Sequence, residues 1–286
     1  MKNEVVGIDA GGTLIKIAYR VNDEWELQKI PLADMGKVRT WIEERVDNPV
    51  IHITGGKAET LRKSLPWPTE PISEFEATCK GVSYLRKRFN ENDRHEDTYI
   101  ITNVGTGTSI HFAGPEEYER VGGSGMGGGT LIGLSYLLTG IDAYEDILRL
   151  GKEGDGRSLN VKVKDIYTDE EPPISGDLTA SNFGNIMNMR NNKYEDKDYI
   201  AAVVRMIGET ITTMSVQMAD RLNTDSIVYI GSTFDKHDHL KEIIGGYTEL
   251  RGKAPCFLPY GEFSGAVGAY MHEQPQAASE KAERKG

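Results

Sequence analysis

Three short stretches hold the residues that could do chemistry. In VVGIDAGGTLIKIAY (Val5 to Tyr19) an acidic residue, Asp9, two glycines, Thr13 and Lys16 interrupt an apolar run. In YIITNVGTGTSIHF (Tyr99 to Phe112) a similar run breaks at Gly105, Thr106, Gly107 and Thr108. The third is GGSGMGGGT (Gly122 to Thr130). Each break taken singly reads as a hairpin turn, for which one or two glycines of positive φ suffice. Two such breaks, each also bearing hydroxyls, point further. Glycines let backbone N–H groups approach phosphate oxygens, and Thr13, Thr106 and Thr108 add neutral donors. Lys16 can reach the same anion, and a carboxylate ending an apolar strand needs a cation or a hydrated metal beside it. The third stretch precedes an apolar helix, so its free N–H groups and the helix dipole would converge on one point. It is neither a Walker loop, which closes on Gly-Lys-Ser/Thr, nor a dinucleotide fingerprint, which an acidic residue follows at a set interval.

The elements that would carry these residues follow from periodicity. Val5 to Ile8, Leu14 to Tyr19 and Trp25 to Ile30 read as strands, Met35 to Arg45 as a helix, and Val50 to Thr54 as a strand before Gly55 and Gly56. A short helix over Ala58 to Leu65 and a longer one over Phe75 to Phe89 follow. The polar run Arg86 to Asp97 is the expected boundary. Then the order restarts: strands at Tyr99 to Val104, Ser109 to Phe112 and Tyr118 to Val121, a helix from Leu131 to Leu138, and a long helix from Tyr199 to Leu222. A strand at Ile227 to Ile230, a helix near Leu240 to Ile244, a strand at Phe257 and Leu258, and a small-residue helix from Gly265 to Met271 complete the pattern. The small-residue helix would permit close packing at an interdomain hinge, and a disordered tail follows from 273 to 286. Two halves that begin alike imply an internally duplicated α/β unit, with domains at 1–97 and 98–272.

Bulk composition narrows the function. The chain has 286 residues, 38% of them hydrophobic and 27% charged, with a net charge of −11. That balance disfavours a nucleic-acid binder, which leans on clustered Lys and Arg. Cys79 and Cys256 are too few for a disulfide framework and too far apart for a metal knuckle. No run reaches the ~20 apolar residues of a membrane span. The expectation is a cytoplasmic protein with no membrane or nucleic-acid partner. His237-Asp238-His239 lacks further spaced ligands and reads as a solvated loop; His111 reads as structural. Met206, Met214 and Met218 would fill the core or a dimer seam.

Together the motifs resemble the actin-like ATPase superfamily, and more narrowly the bacterial type II pantothenate kinases of the staphylococcal and bacillus-like sort. The resemblance rests on IDAGGTLIK, TNVGTGTS, SEFEA, RVGGSGMGGG, EPPISGDLTASNFG, IVYIGSTF, YTELRG and FSGAVGA, in that order, across residues 4 to 271. It implies a duplicated, ribonuclease H-like fold with two lobes around a nucleotide cleft. It also implies phosphorylation of the primary hydroxyl of pantothenate by ATP and Mg2+, the first step toward coenzyme A, in a homodimer for which the Tyr199–Leu222 helix could supply a seam. By the same resemblance Glu74 is the catalytic base, with Glu76 as the alternative, and Arg120 the substrate-side arginine. Nucleotide contacts fall on Gly11, Gly12, Thr13, Leu14, Ile15, Lys16, Ile17, Ala18, Thr106, Gly128, Gly129, Thr130, Leu131, Ile132, Tyr144 and Ser232. Asp9 lies at the metal. Read without the resemblance, Glu74 could equally be an acidic residue favoured by a helix dipole, and Arg120 a surface charge. The rival readings are a sugar or amino-sugar kinase of the same superfamily and a nucleotide-hydrolysing switch protein.

Overall fold

A computed structural model describes residues 4–22, 24–89, 98–115, 117–167, 169–187 and 194–272. The tail expected to be disordered lies outside them. The chain divides into two compact units, Met1–Asp93 with Leu258–Gly286, and Arg94–Phe257.

In the first unit β1 (Glu4–Ala10), β2 (Leu14–Val21) and β3 (Glu24–Pro31) form an antiparallel meander. Helix α1 (Gly36–Glu43) then leads to β4 (Pro49–Thr54), and α2 (Ala58–Arg62) to β5 (Thr69–Pro71). Both of these strands are parallel additions, and the sheet order is β3-β2-β1-β4-β5. Alternation decides the two faces. Ile8, Ile15, Ile17 and Ile30 form one core with Val38 and Ile42 of α1 and Leu61 of α2. The opposite face carries Gly7, Asp9, Lys16 and Lys29, in register across three strands or along one. Helix α3 (Glu74–Phe89) completes this part of the chain.

The second unit repeats the scheme. Strands β6 (Tyr99–Val104), β7 (Thr108–Ala113) and β8 (Tyr118–Ser124) form the meander. Helices α4 (Gly128–Thr139) and α5 (Tyr144–Glu153) follow, then a two-stranded ribbon of β9 (Val161–Lys162) and β10 (Thr179–Ser181) that flanks α6 (Val163–Ile166). Helix α7 (Asp196–Arg221), β11 (Ser226–Ile230), α8 (Asp238–Leu250) and β12 (Ala254–Phe257) close the unit, whose sheet order is β12-β11-β6-β7-β8. Meander, then two parallel strands on the other side of the first: the duplication expected from the sequence is present strand for strand.

Two expectations change. Helix α7 does not offer its apolar positions as a seam, because Ile200, Val203, Val204, Ile207 and Ile211 are fully buried in the core of its own unit. Met206, Met214 and Met218 pack against the same core. The small-residue helix α9 (Ser264–Tyr270) belongs to the first unit and not with residues 98–257. The reason is close backbone packing inside that unit: a Cβ on Gly81 of α3 would strike Ser264, one on Gly268 would strike Ala77, and one on Gly7 would strike Ala266. It is a packing element within that unit.

Candidate active site

Asp9 and Lys16 are cross-strand partners at the mouth of the first hairpin. Lys16 Nζ lies 3.5 Å from Asp9 Oδ2, with both side chains mostly shielded from water. The Asp9 carboxylate lies against two glycines: a Cβ on Gly55 would come within 2.7 Å of Oδ1, and one on Gly265 within 2.8 Å of Oδ2. Gly55 has a φ of +98°, a conformation that glycine adopts without strain. Glu74 opens α3 in the field of the same groups. Desolvation by the surrounding chain, and then the Asp9 charge, raise its carboxyl above the ordinary range, while Lys16 pulls it down. Glu76 is held differently: it accepts from Lys80 Nζ at 2.6 Å and sits 3.5 Å from His272 Nδ1. The bond to Lys80 holds its carboxyl low.

The hairpin turn itself is tied by the Gly11 N–H to Leu14 O at 3.0 Å, and space is open where a Gly12 Cβ would stand. Thr13 is exposed at the tip. Ile15, Ile17 and Ala18, expected among the nucleotide contacts, are fully buried, and β2 is paired on both edges. They fix the strand rather than meet a ligand, and Leu14, half-buried at its start, closes the turn.

In the second unit a set of backbone bonds joins three segments far apart in sequence. Gly128 N–H donates to Gly105 O at 2.8 Å and Gly129 N–H to Thr106 O at 2.9 Å. Thr233 Oγ1 also donates to Gly105 O, at 2.9 Å, and Tyr144 Oη donates to Thr233 O at 2.8 Å. Thr106, Gly128, Gly129, Tyr144 and Ser232 are thus brought together on one platform, with exposed Thr106 at its surface. Burial, with the Asp235 and Glu145 charges behind it, raises the Tyr144 phenol far beyond its usual range, so it stays a neutral donor.

The glycine loop is less open than its sequence suggests. The Gly128 and Gly129 N–H groups serve the hairpin, and among the described residues the Thr130 N–H is the one in the first turn of α4 without an acceptor. The Thr130 hydroxyl donates to Gly125 O at 2.6 Å, Leu131 is buried, and Ile132 packs against the core. Thr108, read as a phosphate donor, instead donates to Met126 O at 2.7 Å and is buried. None of the hairpin glycines has a φ in the left-handed region. They are required by close approach: Cβ atoms on Gly107 and Gly127 would lie 2.9 and 2.8 Å from backbone atoms of the neighbouring segments.

Arg120, on exposed β8, lies opposite His111 and over Gly123, whose absent side chain leaves room for the guanidinium 2.6 Å from a Cβ position. Among the described residues it has no carboxylate partner. His111 is structural as expected: burial and then Arg120 lower it to about 4, and its Nε2 meets Ser109 Oγ at 3.0 Å. His237 is not solvated. It is buried at the start of α8, accepts the Leu240 N–H at Nδ1, and is lowered to about 4 by burial.

Sequence reasoning missed Gly55, Gly231, Thr233 and Gly265. Gly55 and Gly231 each follow the fourth strand of their sheet, at φ +98° and +116°, and each presses on the end of the first strand, at Ala10 O and Val104 O. The signal was present in ITGG and YIGS, two apolar strands each ending at a glycine.

The Fumble family matches residues 27–272. The type II pantothenate kinase of Staphylococcus saprophyticus is 43% identical over 264 residues, 92% of this chain and 98% of that protein. The type II pantothenate kinase of Bacillus thuringiensis is 43% identical over 93% of this chain and 96% of its own. Among solved structures, component A of (R)-2-hydroxyglutaryl-CoA dehydratase from Acidaminococcus fermentans is similar in fold, with a TM-score of 0.62 at 14% identity over 94% of this chain and 97% of that one. A ROK family glucokinase from Streptomyces griseus, in complex with glucose and AMPPNP, gives 0.56 at 13% over 94% and 98%. The duplicated α/β fold is shared with these solved structures, and no helix is long and apolar enough to cross a membrane among the described residues. The chain belongs to the Fumble family, together with the type II pantothenate kinases.

Proposed function

We infer that the chain transfers the γ-phosphoryl group of ATP to the primary hydroxyl of pantothenate, giving 4'-phosphopantothenate at the start of coenzyme A synthesis. The observation that carries this reading is identity of 43% to type II pantothenate kinases over nearly the whole length of both chains. Phosphoryl transfer asks mainly for alignment and for balanced charge on the transferred group. Glu74, raised by its surroundings, accepts the hydroxyl proton as the acceptor oxygen bonds to phosphorus and the bond to ADP breaks. Lys16, the Gly12 and Thr130 N–H groups, and the hydroxyls of Thr13 and Thr106 serve the phosphates. Gly128, Gly129, Tyr144 and Ser232 serve the body of the nucleotide. Arg120 steadies the transferred phosphoryl group.

Mg2+ fits the donor set. Among the described residues no three His, Cys, Asp or Glu side chains gather as a protein cage. One shielded carboxylate, Asp9, with phosphate oxygens and water is the usual way magnesium is held beside a nucleotide. The ion would supply positive charge to the phosphates during transfer. A cytoplasmic homodimer completes the reading. Since the apolar positions of α7 are buried within its own unit, Tyr136, Leu137 and Leu138 of α4, three consecutive exposed apolar residues among the described ones, offer a surface for it; light scattering on the purified chain measures the mass.

The direct test is incubation with labelled ATP and Mg2+ against pantothenate, glucosamine and simple sugars. Label on pantothenate alone is expected. Transfer to a sugar with none to pantothenate would replace this reading by that of a sugar kinase, and ADP release without any labelled acceptor by that of a switch protein.

A further inference from the structure

A second group of titratable side chains in the first unit uses neither Asp9 nor Lys16. His52 on β4 is fully buried, and its register partner is Glu70 on the edge strand β5. His52 Nδ1 lies 2.9 Å from Ala269 O; a carbonyl only accepts, so this nitrogen carries the proton. In the neutral ring Nε2 is then a bare lone pair, and it faces Glu70 Oε2 at 3.8 Å without a hydrogen bond. His272, just past α9, meets the other oxygen of the same carboxylate, its ring 5.9 Å from that of His52. Its Nε2 lies 3.6 Å from Glu70 Oε1, and its Nδ1 lies 3.5 Å from Glu76 Oε1.

Both nitrogens of His272 therefore face carboxylate oxygens. A neutral imidazole has one N–H, so one lone pair would point at an anion, whereas the imidazolium donates toward both. The count of charge agrees. Lys80 Nζ, 2.6 Å from Glu76 Oε1, balances Glu76 and leaves Glu70 one positive charge short. Burial opposes a charge on His52, so the partly exposed His272 is the imidazole that can supply it. The second sheet shows that the duplicated fold does not need this group. Counted back from the glycine after the fourth strand, Gly55 or Gly231, His52 corresponds to Val228 and its partner Glu70 to Cys256.

Glu70 and Glu76 bracket the connection 71–75, and Glu74 lies within it. We propose that His272, as a cation between Glu70 and Glu76, is a positioning residue that clamps this connection from the end of α9 and so sets where Glu74 stands against the acceptor hydroxyl. Loss of the His272 proton turns one of the two contacts repulsive, and the connection slackens. The groups that face His272 are His52 from β4, Glu70 from β5, and Glu76 with its Lys80 from α3. The proposal rests on Glu74 being the base.

Steady-state kinetics of the full chain from neutral to alkaline pH, beside NMR of the His272 ring, test it; the ring signal is identified by its absence from His272→Gln. kcat of the native chain is expected to fall as pH rises, with its midpoint where the His272 ring titrates. His272→Gln keeps a donor but not the charge. It should lower kcat about five-fold below that midpoint, the upper range for a part-exposed ion pair, and remove the alkaline fall. KM for ATP and affinity for a non-hydrolysable ATP analogue stay within about two-fold. Glu70→Gln gives the same loss, and the double variant is no worse than either single one, since the two side chains act as one unit. Additive losses, or analogue affinity lost in step with kcat while circular dichroism shows a folded chain, would assign His272 a structural role and overturn the proposal. An alkaline fall that persists in His272→Gln overturns it too. Native kcat in Glu74→Gln would instead remove the base, and the proposal with it.

Discussion

Glu74 and Glu76 stand two residues apart at the head of α3, and their surroundings push them in opposite directions. Desolvation and Asp9 make Glu74 the stronger base, whereas Lys80 already holds Glu76 as an ion. Glu74→Gln is therefore expected to lower kcat about 10²–10⁴-fold with ATP analogue binding retained, and Glu76→Gln to change kcat only a few-fold. Equal losses in both would remove the distinction. Because the folded carboxyl titrates above an ordinary glutamate, kcat of the native chain should begin to fall, on acidification, at a higher pH than for an unperturbed carboxylate. The same shift has a consequence for stability. A carboxyl whose folded pKa is raised binds its proton more tightly when folded, so its stabilising contribution is present at low pH and is lost as pH rises. Glu74→Gln should then melt higher than the native chain at neutral pH and equally at acid pH. Parallel melting curves across that range would contradict the shift.

At the scale of elements, the second hairpin and α4 are locked to each other by backbone bonds, with Thr233 as the third member. Thr233→Val keeps the shape and removes the donor to Gly105 O, a bond worth about 1 kcal/mol. The expected result is a folded chain with analogue affinity reduced about five-fold. In Gly107→Val the obstacle is Ser124 O, 2.9 Å from the new Cβ, and the hairpin must move away from β8. Nucleotide affinity should be lost while the circular dichroism spectrum is retained, and normal ATP titration of a well-folded Gly107→Val would remove the second hairpin from the site. The hairpins and most of the strands and helices beside them could be read from local spacing, because glycine turns and apolar alternation are local signals, whereas the role expected of Glu74 came from the family resemblance. Thr233 could not be read from spacing. It bonds to a carbonyl 128 positions earlier, and nothing in local periodicity reports a contact at that distance. The same limit hid Gly265 beside Asp9 and sent α9 to the wrong unit: its small residues announced close packing, but not the partner.

For the whole molecule, one architecture has been put to two uses. Both sheets share strand order, hairpin and the left-handed glycine after the fourth strand. The first lines its row with charges, and the second replaces them with neutral side chains and donated backbone bonds. The second unit also buries two imidazoles, His111 and His237, each lowered from 6.5 to about 4 by burial. Their unfolded forms take up protons below about 6.5 while the folded forms do not. Stability is therefore full above that pH and is lost as pH falls toward about 4. His237 matters beyond stability, since its ring meets that of Tyr144 edge to face, 6.4 Å between centroids, and Tyr144 holds Thr233. His237→Asn keeps a side-chain acceptor for the start of α8, asparagine being a favoured cap, and removes the titration. The native chain should lose melting temperature and ATP-analogue affinity together between pH 6.5 and pH 4.5. The variant should lose less of both over the same interval, and identical acid profiles for the two proteins would show that His237 does not govern the acid limb.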